Sequence, residues 1–101
     1  MTANAFHSYI AADEALNQKY LAVKPGSWTD QIDSAQRADG VQLWRDFCNA
    51  VADCNVLDKV MDIKHPTVGG AAIIAFVATD DAVRELEKQA PRFSFAKMEH
   101  L

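Results

Sequence analysis

Residues 71–78 read AAIIAFVA, eight apolar side chains in succession. A run this short is bounded like a strand rather than a membrane span, since a spanning helix needs about 20 apolar residues. Successive strand side chains point to opposite faces of a sheet. Ala71, Ile73, Ala75 and Val77 form one face, and Ala72, Ile74, Phe76 and Ala78 the other. In a two-layer domain only one of these faces meets helices. The other must be covered by something else, because each large apolar side chain left in water forgoes roughly 1.5–3 kcal/mol.

The rest of the chain supplies partners for that strand. Thr79 reads as an N-cap with Asp80 and Asp81 in the first turn of a helix, where the dipole favours acids. Val83, Leu86 and Ala90 form its buried edge, and Pro91 stops it. Residues 92–98, RFSFAKM, alternate as a last strand. Before the apolar run, residues 55–66 alternate in part, with Leu57, Lys59, Met61 and Ile63 on one side and Asp58, Val60 and Asp62 on the other. Leu43, Trp44, Phe47, Val51 and Cys54 make a broad helical stripe. Ser27 is expected to open that helical region as its N-cap, with Asp30 three positions on as a variant of the capping box, and Gly40 is expected to break it, since glycine costs about 1 kcal/mol in a helix interior.

Residues 1–24 carry two readings. Residues 5–12, AFHSYIAA, alternate like a strand, yet Phe6, Tyr9 and Ile10 also suit one helical face. We take a helix first, an arm over residues 1–18, and a strand at about 19–24 closed by a turn at Pro25–Gly26. The resulting order, strand, helix, strand, strand, helix, strand, is the split βαβ or ferredoxin-like arrangement. The expected fold is therefore α+β: a βαββαβ sheet with an additional N-terminal helix and a long, Gly-interrupted first crossover. With 101 residues the chain reads as a single domain.

Residues 69–101, GGAAIIAFVATDDAVRELEKQAPRFSFAKMEHL, resemble the subtilisin propeptides and the free-standing protease inhibitors related to them. The shared pattern is a Gly-rich bend, a strand, an acid-capped helix and a last strand with an acidic-His tail. YLAVKPGS at 20–27 is similar to that family's first strand and turn. About half the chain is covered. The long segment 28–54 and the more apolar third strand depart from the pattern. The resemblance implies that the outer sheet face, assigned to Ile74 and Phe76, docks on a subtilisin-type serine protease. It also implies that the tail from Lys97 through Met98, Glu99 and His100 enters the substrate cleft, with Leu101 in the primary pocket. Extended segments of this kind bind through main-chain hydrogen bonds and alternate side-chain pockets.

The alternative is a dimeric α+β barrel, a small enzyme or binder of a small hydrophobic ligand. His7, Tyr9 and Trp44 are then the polar handles of an apolar pocket. No P-loop, dinucleotide-binding glycine pattern or nucleophile elbow is present, and the three histidines stand in no recognised catalytic spacing. The balance leans away from an enzyme, and no cofactor is expected. Cys48 and Cys54, in a C-x5-C spacing, match no zinc pattern, so no metal is expected either. A net charge of −4 with ten scattered Lys and Arg argues against nucleic acid. The expected partner is a protein, either a protease or a second copy, with no role for a membrane. The opening stretch lacks the features of a signal peptide. A cytoplasmic origin is the default, although a secreted protein after processing reads the same.

Overall fold

A computed structural model describes residues 5–66 and 72–98. The elements are β1 (Phe6–Ala12), α1 (Glu14–Leu21), α2 (Asp30–Asp53), β2 (Val60–Met61), β3 (Ile73–Thr79), α3 (Asp80–Gln89) and β4 (Ser94–Lys97), with 3-10 turns at Pro25–Ser27 and Leu57–Lys59. The architecture is α+β. Four strands form one sheet in the order β2-β3-β1-β4, and every neighbouring pair is antiparallel.

Local chemistry sets the helix ends. Asp13 caps α1 by accepting a hydrogen bond from the Leu16 amide at 3.1 Å. Thr29, not the expected Ser27, which lies in the Pro25–Ser27 turn, does the same for α2 from Ile32, and Thr79 does so for α3 from Ala82. Helix α2 closes with Asn55 in the left-handed region, φ 58°. The Val56 amide reaches back to the Val51 carbonyl and the Asn55 amide to that of Ala52. This is the Schellman pattern, and asparagine is the side chain after glycine that best tolerates its left-handed residue.

The core lies between the sheet and the helices. Tyr9 and Ala11 of β1, Ile74, Phe76 and Ala78 of β3, and Val60 of β2 point into it. Leu43, Phe47 and Val51 of α2 and Ala82, Val83 and Leu86 of α3 complete it, and Leu16 of α1 packs on the same cluster. At its centre Phe47 meets Phe76 with ring centroids 4.9 Å apart and Phe93 edge-on at 5.4 Å.

Several expectations are corrected. Residues 19–24 are not a strand: the Asp13 cap makes 14–21 helical, and the chain then turns at Pro25–Ser27. The first strand is 6–12, and it lies in the interior of the sheet rather than forming a helical arm. No additional helix therefore precedes β1 among the described residues. Helix α2 runs for 24 residues straight through Gly40; the burial of its stripe outweighs one glycine. The strand expected over 55–66 shrinks to two residues. Asp62 takes φ 53°, and the Lys64 amide bonds to Ala75, where regular pairing from Met61↔Val77 would place residue 63. The extra residue is a bulge, and it turns Ile63 inward to pack on the core. Finally, Ile74 and Phe76 do not face outward: they are 0% and 2% exposed and enclosed by the chain's own helices.

Candidate functional site

Two surfaces stand out, one on each side of the sheet. All three helices pack on a single core, so the opposite sheet face has no cover among the described residues. It is built by the alternate positions. Phe6, Ser8, Ile10 and Ala12 of β1 lie beside Ile73, Ala75 and Val77 of β3, with Ile10 opposite Ala75 and Ser8 opposite Val77. Met61 extends the face past Val77 on one side. Ala96 lies opposite Ile10 on the other, and Met98 follows where its amide bonds to the Ser8 carbonyl. Phe6, Met61, Ile73 and Met98 are 41%, 45%, 37% and 52% exposed. Ser8 and Ser94 are the polar side chains of its β1–β4 part, and Lys64, brought opposite Ala75 by the bulge, puts a charge at its β2 rim.

On the helix side a cleft of about 250 Å³ opens between α3 and the β1–β4 pair, lined by Tyr9, Asp80, Val83, Arg84, Glu87 and Phe95. Register creates it. Tyr9 lies directly opposite Lys97 on β4, and both point toward Asp80, the first residue of α3. The Tyr9 hydroxyl donates to the Asp80 carboxylate. Lys97 Nζ reaches the same carboxylate at 3.3 and 3.4 Å and sits 5.9 Å from the Tyr9 ring centroid. Burial and the bond to Asp80 push the Tyr9 phenol up to about 12, so it stays protonated at neutral pH. The same bond, with Lys97, holds Asp80 below the ordinary carboxylate range.

His7 lies two residues before Tyr9 on the same strand face, near enough to Asp80 to favour its charge. The structure thus brings His7 and Tyr9 together. Trp44 does not join them. It stacks on His65 with centroids 4.1 Å apart, beyond β2 at the other edge of the sheet, and its indole nitrogen is buried with no acceptor among the described residues. Met98 follows β4 on the open face. Glu99, His100 and Leu101, like Gly69 and Gly70, lie outside the described residues. Cys48 and Cys54 are free thiols, both pushed up by burial.

Asp80, Arg84, Glu87, Phe95 and Lys97 were not expected in a pocket. In the sequence Asp80 reads as a first-turn acid, and its bond to a tyrosine 71 positions away becomes visible only once β1 is paired with β3 and β4. Comparison with protein-family models, curated proteins and solved structures finds no match to this chain.

Proposed function

We propose that this chain is an association module of ferredoxin-like, split βαβ design, and that the open face of its sheet is covered by a second copy to give a dimeric α+β barrel. The ferredoxin-like reading is supported by the connections: α1 and α2 together link β1 to β2, α3 links β3 to β4, and β1 and β3 hold the middle of the sheet. The observation that carries the dimer is the exposed apolar face, whose centre on β1 and β3 carries no charge and whose described charge, Lys64, stands at the β2 rim. The centre of such a face meets its own copy without desolvating or opposing like charges. Central strands of seven residues and four-strand width give a flat footprint on the order of 400 Å². Side-chain relief raises the buried total for two copies toward the roughly 1,200 Å² at which stable interfaces begin.

The second reading is a propeptide-like inhibitor, with the same face resting on a subtilisin-type protease. Met98 supports it, since its amide bonds to the Ser8 carbonyl and carries the pairing with β1 one residue past Lys97. The docking side chains would then be Ile73 and Val77 in place of Ile74 and Phe76.

Mass in solution tests both. Sedimentation equilibrium should give twice the 11.1 kDa chain mass, and Ile10→Lys, which places a charge at the centre of the face, should give a folded monomer. A wild-type monomer that inhibits subtilisin transfers the face to the second reading. A monomer without inhibition removes both.

A further inference from the structure

The cleft beside α3 is on the opposite side of the sheet from the docking face, so it stays reachable in a dimer, and what it would hold is a separate question. Its mouth is more polar than apolar: the Tyr9 ring and Val83 lie at the bottom, 7% and 4% exposed, and the half-buried Phe95, packed edge-on to Phe76 at 6.1 Å, is the apolar side chain within reach. Its polar equipment divides in two. Asp80 is already occupied by Tyr9 and Lys97. Arg84 and Glu87 are not: they stand three residues apart on α3, a spacing at which side chains are neighbours, yet among the described residues neither makes a hydrogen bond or ion pair. The Tyr9 proton is committed to Asp80, so its oxygen offers lone pairs to anything in the cleft.

Those free groups amount to one cation with several donors, one carboxylate and one phenol oxygen that accepts. With the Asp80–Lys97 pair included, the charges around the cleft balance. A simple anion would gain Arg84 and be repelled by Glu87; a simple cation would suffer the reverse. A molecule bearing both charges beside an apolar body satisfies every free group. We infer that the cleft is a binding site for a small apolar or aromatic α-amino acid, its carboxylate on Arg84, its ammonium donating to Glu87 and the Tyr9 oxygen, and its side chain against the Phe95 ring. The volume of about 250 Å³ sits below the roughly 300–1,000 Å³ of drug-sized sites and suits such a molecule.

The test is a titration of the full chain followed by backbone amide shifts, using L-phenylalanine, 3-phenylpropanoate, which lacks the ammonium, and 2-phenylethylamine, which lacks the carboxylate. L-Phenylalanine should perturb the amides around Tyr9, Val83, Arg84 and Phe95 and bind about tenfold more tightly than either analogue, as expected for losing one charge-assisted contact. Arg84→Gln should abolish its advantage over phenylethylamine, and Glu87→Gln its advantage over phenylpropanoate. Both positions are exposed, so both variants should fold. Absence of cleft perturbation at millimolar ligand, perturbation elsewhere, or an analogue that binds as well as the amino acid would overturn the inference.

Discussion

Asp13 does two jobs from a buried position. It is 6% exposed, caps α1, and accepts from Arg92 Nε at 2.7 Å, while Arg92 also reaches Asp46. Burial works to raise its pKa, but the bonds from Arg92 and the Leu16 amide outweigh that and leave it below its ordinary value. Asp81, bonded to Lys59 and Thr79, is lowered to about 2. Such carboxylates bind protons more readily in the unfolded chain than in the folded one. Their stabilisation is complete above the unfolded value of about 4 and is lost as pH falls through the folded values. Urea unfolding should therefore weaken steadily from about pH 5 to pH 2. Asp13→Ala should cost about 1–2 kcal/mol at neutral pH and flatten that slope. At Tyr9, ultraviolet titration should show one phenol ionising near 12, and Tyr9→Phe should remove that step at a cost of about 1 kcal/mol.

At the scale of elements, α2 invites a direct test of local against tertiary preference. A Cβ added at Gly40 would meet Pro66 at 3.8 Å, an ordinary contact. Gly40→Ala should then stabilise the protein by about 1 kcal/mol in thermal or urea unfolding. Phe47→Ala, which removes the ring joining Phe76 and Phe93, should cost about 3–5 kcal/mol. The stripe of Leu43, Phe47 and Val51, the Thr79 cap and the apolar β3 were all legible in the sequence, because periodicity and capping are local signals. The first strand was not. Residues 5–12 and 19–24 both alternate weakly, and what separates them is the Asp13 side chain, whose partner Arg92 lies 79 positions away. The parity of β3 was also undecidable from one strand, since both of its faces are greasy. Only the registers with β1 and β2 assign Ile74 and Phe76 to the core and Ile73 and Val77 to the outside.

For the molecule as a whole, the bare face of the sheet and the cleft on the helix side are separable. Ile10→Lys should halve the mass in solution while leaving the amide shifts of Arg84 and Glu87 in place. The cleft needed three strands and a helix start to be assembled, so no stretch of sequence could display it. The left-handed residue Asp62 has a further effect at this scale. One rim of the sheet consists of Val60 and Met61 and then a kink, too short and too bent to template another chain's backbone. Growth of the sheet sideways is therefore blocked along that rim, and a copy that adds across the face uses up the only broad sticky surface the described residues present. Self-assembly should terminate at two and saturate with concentration, instead of propagating into ribbons.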